Sequence, residues 1–252
     1  MTHQARKRFG QNFLQDRQVI EQIISAIRPE TRAHIVEIGP GQAALTGPLI
    51  AAAKKLTAVE IDRDLAAVLQ KRETEHFKVL VGDALQLDFS TLSQGEKLTI
   101  VGNLPYNIST PILFHLMQYQ SQIDDLYFML QKEVVERMAA APREKEYGRL
   151  SIMVQYFCEV RPLFHVSPQA FSPIPKVDSM VVHLRPWQTS PYPKLNDFQR
   201  FSQIVQHAFS QRRKTLRNAL SQLDLDVPVE LASKRAEELS VADFIKLAND
   251  TA

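Results

Sequence analysis

The segment His34–Ala43, HIVEIGPGQA, carries five strand-forming residues, His34–Ile38, into a turn that holds Gly39 and Gly41. Five such residues make a buried strand, and glycines at a strand-to-helix turn let the backbone come close to a ligand. Outward from it, Leu56–Ile61, Phe77–Val81, Leu98–Gly102 and Leu126–Leu130 are each the length of a buried strand. Several are rich in Val and Ile, as parallel strands covered on both faces tend to be. Between the runs lie helix-like stretches at Ala43–Ala53, Asp64–Lys71 and Pro111–Tyr119, the last introduced by Ser109 and Thr110. Strand–helix alternation of this kind predicts an α/β fold with a doubly wound sheet. Val160–Val166 and Val177–Leu184 have little helical sequence between them and suit an antiparallel edge.

The texture changes after Arg185. Trp187–Asn196 contains Pro191 and Pro193 and reads as a linker. Beyond it there is no glycine, and Phe198–Leu223 and Ser240–Ala248 show helical spacing. Residues 1–186 are therefore expected to form the sheet domain, and 187–252 a linker with a small all-helical domain.

The 252 residues are 44% hydrophobic and 23% charged, enough to build a true core. Thirty Lys and Arg against 28 Asp and Glu give a formal charge of +2, which excludes a generally cationic nucleic-acid coat but allows local basic patches. The single Cys158 can form neither an internal disulfide nor a zinc cluster, which fits a reducing compartment. The basic stretch Met1–Gly10 is followed by no apolar run of signal-peptide length, and nothing is long enough to span a bilayer. A soluble, cytoplasmic protein is expected.

Polar residues close the strands. Glu60 ends the second, where an acidic side chain can accept bonds from two ribose hydroxyls; Asp83 follows the third and can accept from an adenine amino group; Asn103 closes the fourth. Asp83 alone would serve equally as a helix cap. Their common position on one sheet edge is where ligands of this architecture bind. Ala43 replaces the third glycine of the dinucleotide fingerprint, which argues against NAD and its closely approached pyrophosphate.

Asn103-Leu104-Pro105-Tyr106 is the most specific feature. It suits a particular problem, an adenine amino nitrogen whose lone pair is delocalised into the ring. A general base is not the obvious remedy, because that amine is hardly acidic at neutral pH. Two acceptors for its hydrogens, an Asn side-chain oxygen and the carbonyl of Leu104 fixed by Pro105, favour a pyramidal nitrogen with an aimed lone pair. Tyr106 offers a ring on which an extruded base can stack. An isolated four-residue match would equally fit a proline turn with a core tyrosine.

The longer segment Asn103–His115, NLPYNISTPILFH, resembles the signature of the KsgA-type small-subunit ribosomal RNA adenine N6,N6-dimethyltransferases. RKRFGQNFL at Arg6–Leu14, VEIGPG at Val36–Gly41, YGRLS at Tyr147–Ser151, FSPIPKVDS at Phe171–Ser179 and QRRKTLRN at Gln211–Asn218 are similar to the same family in the same order. The resemblance implies a class I (Rossmann-like) methyltransferase sheet with S-adenosyl-L-methionine as cofactor. Gln11, Asn12 and Leu14 would belong to a lid over the cofactor, Gly39 would lie near its methionine moiety, and Gly41 would also bind it. Glu60 would bind the ribose, Asp83 the adenine, and Asn103 both cofactor and target amine. Phe171 would form the second wall of the target pocket, opposite Tyr106. The implied substrate is a pair of neighbouring adenosines in a 3′-terminal hairpin loop of 16S rRNA. The implied partner is the small ribosomal subunit, with no obligate protein partner and no metal.

Three other readings share part of this pattern. Large-subunit rRNA adenine methyltransferases carry the same N-[LI]-P-Y core, but the PKVDS and QRRKTLRN segments favour the small-subunit branch. A non-catalytic binding protein on the same fold is opposed by the intact Glu60, Asp83 and Asn103–Tyr106. DNA adenine methyltransferases commonly carry D-P-P-Y or N-P-P-Y instead. In the tail, Phe198–Leu223 holds Arg200, Arg212, Arg213, Lys214 and Arg217 and no acidic residue. On one continuous helix Arg213, Lys214 and Arg217 form a phosphate-facing stripe opposite the apolar side. Arg212 would fall within the apolar side, so either the helix breaks near Ser210 or Arg212 pairs inside the protein.

Overall fold

The computed structural model describes residues 12–105, 108–223 and 225–250. The strands are β1 (Phe13–Leu14), β2 (His34–Ile38), β3 (Leu56–Glu60), β4 (Phe77–Val81), β5 (Leu98–Asn103), β6 (Ile123–Gln131), β7 (Cys158–Val166), β8 (Phe171–Ser172) and β9 (Ser179–Pro186). The first helices are α1 (Arg17–Ile27), α2 (Thr46–Ala52), α3 (Arg63–Gln70), α4 (Ser90–Ser93), α5 (Ser109–Met117) and α6 (Lys132–Ala139). They are followed by α7 (Arg149–Phe157), α8 (Phe198–Ser210), α9 (Leu216–Ala219), α10 (Val229–Ala232) and α11 (Val241–Asp250).

The main sheet has the order β4-β3-β2-β5-β6-β9-β7. β2 to β6 run parallel to their neighbours and β9 is antiparallel to β6. All five residues of β2 and of β3 are buried, as expected for strands covered on both faces, whereas the edge strand β4 exposes Lys78 and Val81. One sheet face packs Ile35, Leu56, Ala58, Phe77 and Val101 with Ile23 and Ile27 of α1, Leu49 of α2 and Leu69 of α3.

β2 and β5 approach closely at Gly102. A Cβ there would stand 2.7 Å from the Ile38 carbonyl oxygen and 3.1 Å from the Leu104 side chain. Because the obstacle is backbone within a sheet, Gly102→Ala is expected to lower stability by about 2–3 kcal/mol, as overpacking of a tight interior does. Urea denaturation measures this, and an unchanged midpoint would show that the strands separate freely.

At the opposite end of the parallel strands a buried ion cluster ties β6 to β9 and to the approach to β2. Asp125 accepts from Arg32 Nη1 at 2.5 Å and from Arg185 Nε at 3.0 Å, and it pairs with His183 Nε2 at 2.5 Å. Arg32 Nη2 donates to the Tyr127 hydroxyl, and the Tyr127 ring stacks on its cross-strand partner His183 at 4.4 Å. Burial raises the Asp125 carboxyl, but the bonds from His183 and Arg185 and the charge of Arg32 prevail and hold it at about 2.

The chain divides into two compact units. The first comprises the chain up to Val135 with Arg161–Pro186, and the second Glu136–Val160 with the chain from Trp187 onward. The sequence boundary at Pro186 coincides with one crossing, but Glu136–Val160, which ends in the first three residues of β7, groups with the helical unit. The reason is aromatic: Tyr156 and Phe157 of α7 pack with Phe198 and Phe201 of α8 at centroid distances of 5.2–5.8 Å. Trp187 reinforces this, donating from its backbone to the Phe157 carbonyl and from Nε1 to that of Gln155, each at 2.9 Å.

A second difference concerns the tail. α8 stops at Ser210, residues 211–214 form a turn, and only Leu216–Ala219 is helical again. Phe201, Ile204, Val205 and Ala208 of α8 and Leu216 of α9 are buried as the periodicity implies. Arg212, out of phase with them, donates through Nε to Glu237 Oε2 and through Nη2 to the Lys145 carbonyl, each at 2.7 Å. Both expectations for that residue are met: the helix breaks, and Arg212 pairs inside the unit.

Candidate active site

The C-terminal ends of β2, β3 and β5, the residues after β4, and β1 and β8 line a cleft of about 310 Å³ within the first unit. β2 lies between β3 and β5, so the chain direction across the sheet switches here, the usual ligand position in a doubly wound sheet. Asn12, Leu14, Gly39, Gly41, Glu60, Asp83, Asn103, Leu104 and Phe171, drawn from six places in the sequence, all face this one cleft. Gln11 and Tyr106 lie outside the described residues.

The turn after β2 has an unusual backbone. Gly39, Gly41 and Ala43 take φ of +67°, +55° and +68°. This delays the helix, which begins at Thr46 and not at Ala43 as the apolar pattern suggests. Left-handed geometry at an alanine costs about 1–2 kcal/mol, strain of the kind that collects at ligand sites. A Cβ on Gly41 would lie 3.2 Å from the Phe13 ring, so β1 passes directly over this turn.

Glu60 holds the turn from the neighbouring strand. Its Oε2 accepts from the Gly41 N–H at 3.1 Å and its Oε1 from the Asp62 N–H at 2.9 Å. Burial raises its pKa, and those two N–H groups oppose the rise. Each carboxylate oxygen keeps a further lone pair for a ligand hydroxyl. Asp83 Oδ1 caps the turn at Ala84–Gln86 through the Leu85 N–H at 2.9 Å, and the half-buried residue lines the cleft.

Asn103 closes β5 with its amide committed. Nδ2 donates to the Asn12 carbonyl at 3.1 Å, which leaves Oδ1 to accept. The Leu104 N–H is held by the Met129 carbonyl, and the Pro105 carbonyl accepts from Ile108 N and Ser109 Oγ, so the segment is fixed on both sides. Phe171 is 4% exposed and pairs with Leu14 in the antiparallel β1–β8 ladder. Gln15 N adds a bond to the Ala170 carbonyl at 2.8 Å. The chain at Asn12–Leu14 is thus fastened to Asn103 on one side and to Phe171 on the other.

Among the lining residues that the sequence did not single out are Phe13, Glu37, Ile61 and Leu85. Ile61 had a readable signal, a large apolar residue directly after a polar strand end, and it is 46% exposed. Glu37 had the opposite one, a charge inside an otherwise apolar strand. Arg213, Lys214 and Arg217 are all exposed, but they belong to the second unit, on the 211–214 turn and α9.

Over residues 2–251 the chain matches the family model for ribosomal RNA adenine dimethylase. It is 52% identical to a ribosomal RNA small subunit methyltransferase A of Salmonella typhimurium, over 98% of this chain and 93% of the relative. Among solved structures it resembles a dimethyladenosine transferase from Plasmodium falciparum, with a TM-score of 0.79 and 28% identity over 93% of this chain and 95% of the other. The 23S rRNA methyltransferase ErmE shares the fold, with a TM-score of 0.72 and 24% identity over 95% of this chain and 99% of that one. A match of this extent, on a chain whose strand ends converge on one cleft, means that the protein belongs to the ribosomal RNA adenine dimethylase family.

Proposed function

We propose that this chain, an S-adenosylmethionine-dependent rRNA adenine dimethyltransferase of the small-subunit type, methylates two adjacent adenosines in a 3′-terminal hairpin loop of 16S rRNA. The observation that carries the reading is the convergence of Asn103, its Nδ2 already committed, with Glu60, Asp83 and Phe171 in one cleft. The residues present fit the cofactor. Glu60 offers lone pairs to ribose hydroxyls, Asp83 an acceptor to the adenine amine, and Ile61 and Leu85 an apolar surface to its ring. Beneath them Glu37 Oε2 is buried without a hydrogen bond, a carboxyl that a cationic ligand would favour in its ionised form. When bound, the cofactor supplies an electrophilic methyl group on a sulfonium.

The chain's own contribution is positioning. Asn103 Oδ1 and the Leu104 carbonyl would accept the hydrogens of the target amine, favour a pyramidal nitrogen and aim its lone pair at the methyl group that a bound cofactor would supply. Phe171 forms one wall for the extruded base, and family resemblance assigns Tyr106 the other. The amine proton leaves to solvent as the N–C bond forms. A hairpin loop suits this geometry, because unstacking a loop base costs less than opening a duplex.

Arg213, Lys214 and Arg217 serve the RNA backbone in this reading, and the small ribosomal subunit with its rRNA is the partner, without an obligate protein partner. Replacing all three with alanine is expected to weaken rRNA binding and leave cofactor affinity unchanged. The log–log salt slope should become shallower by up to about 2–3 units; identical slopes would make these residues ordinary solvated surface. Among the described residues no helix is long and apolar enough to cross a membrane, and a cytoplasmic site of action accords with ribosome assembly. The whole reading is tested by incubating the protein with labelled cofactor and unmodified small subunits, then mapping the label. Two adjacent dimethylated adenosines near the 3′ end are expected, and label elsewhere or none refutes the substrate.

A further inference from the structure

Two carboxylates sit side by side under the cleft, and the protein treats them differently. Both oxygens of Glu60 are held by backbone N–H groups. Glu37, one strand over on β2, is 2% exposed, and its Oε2 has no hydrogen-bond partner. A carboxylate left in this state is costly, because burial penalises its charge and nothing replaces the lost water. An apolar residue or an amide at this position would avoid the cost, so the charge calls for a counterpart that arrives from outside.

The charged and polar groups facing Glu37 do not supply that counterpart. Glu60 on β3 is of like sign, and the buried Thr46 hydroxyl at the start of α2 favours the ionised form but makes no bond of ordinary length to Glu37 Oε2. Arg72, beyond α3, favours the ion but is outweighed. Burial, reinforced by Glu60, pushes the Glu37 carboxyl up to about 7, against the weaker pull of Thr46 and Arg72. The group is therefore divided between neutral and ionised forms near neutral pH.

We propose that Glu37 determines specificity by charge: it ionises against the sulfonium of the methyl donor and reprotonates against the neutral thioether left after transfer. The inference rests on the cofactor reading above. Loading the donor expels the Glu37 proton to solvent, and the carboxylate then lies in the field of a cation. Transfer breaks the sulfur–methyl bond and leaves both electrons on sulfur, which removes that positive charge. Glu37 then takes a proton back from solvent and loses its attraction for the spent ligand. The donor and its product, alike in nucleoside and amino-acid parts, are told apart by the one charge that the reaction removes.

Isothermal titration calorimetry of the full chain at pH 7, in two buffers of different ionisation enthalpy, counts the protons. S-adenosylmethionine is expected to release a measurable fraction of a proton, because the raised pKa leaves Glu37 partly protonated before the donor binds. S-adenosylhomocysteine should release less than half of that. Glu37→Gln should abolish the difference and lower the donor-to-product affinity ratio several-fold. Equal proton counts for the two ligands, or an unchanged difference in Glu37→Gln, overturn the proposal. If that variant does not fold, carboxyl ¹³C resonances of the wild-type chain read Glu37 directly. An ionised shift with the donor and a partly protonated one with the product are expected, and identical shifts overturn the proposal. Binding of neither ligand would instead overturn the cofactor reading itself.

Discussion

Asn103→Ala is expected to slow methyl transfer by about 100- to 1000-fold at saturating cofactor and RNA, the usual cost of removing one preorganised polar group at a reacting centre. The size of the effect follows from the way Asn103 is held. Its Nδ2 is fixed by the Asn12 carbonyl at 3.1 Å, so Oδ1 is oriented before any substrate arrives. Water entering the space left by alanine could accept the same hydrogen, but it would not arrive aimed. The substitution also releases the Asn12 carbonyl and so loosens the segment that carries Leu14. Single-turnover rates should therefore be measured beside cofactor affinity. Asn103→Asp keeps the shape but sets an acceptor against that carbonyl, and it should lose cofactor affinity as well as rate. A wild-type rate in Asn103→Ala at saturation would remove this side chain from the chemistry.

The second large effect is on stability and lies at the other end of the sheet. Asp125→Ala is expected to destabilise the fold by about 3–5 kcal/mol, since it strands buried positive charge that the carboxylate neutralises. The Asp125 side chain is 2% exposed and that of its partner Arg32 only 11%. Arg185, half exposed, can turn to solvent; Arg32 cannot without giving up Tyr127 and the Ile27 carbonyl. The pH dependence has a definite sign. The folded pKa of about 2 lies below the free value of 3.8, so the contribution is complete above about pH 4 and is lost as pH falls towards 2. His34 acts earlier. Burial, with the nearby Lys55, lowers it from 6.5 to about 4, so its contribution is full above pH 6.5 and declines on acidification to 4. Urea denaturation of wild type and Asp125→Ala should therefore show a gap that is constant from pH 7 to 4 and narrows below it. A gap that stays constant to pH 2 would exclude ionised Asp125 as its source.

The parallel sheet was readable because β2, β3 and β5 are mostly apolar and buried on both faces, and the cleft because polar residues end β3 and β5 and follow β4. Glu60, Asp83 and Asn103 needed only their position in the chain to be found. What sequence could not carry was backbone geometry and pairing over long separations. The left-handed Ala43 leaves no trace in a hydrophobic pattern, so α2 was expected to begin too early. β1 and β8 are two residues each, too short for any periodicity, yet their pairing joins Leu14 to Phe171. The transfer of Glu136–Val160 to the helical unit depends on Tyr156 and Phe157 meeting Phe198 and Phe201, which no local pattern encodes. Arg212 is the instructive case. Its misfit in the apolar stripe was a correct sign that the helix from Phe198 could not continue.

The interleaving of the two units bears on the order in which the chain can fold as it leaves the ribosome. β6, nine residues long and almost wholly buried, emerges with β5 available on one side. Its other neighbour, β9, follows only after the whole excursion through Glu136–Val160 and the return along β7. During that interval an apolar strand edge stands open, the arrangement most prone to mispairing between chains. The excursion itself must wait longer, since α7 finds its aromatic partners on α8, beyond Trp187. Two units that look separable in the finished protein are thus completed late and in overlapping order, and cutting the chain at Pro186 would strip α7 of the partners that bury it.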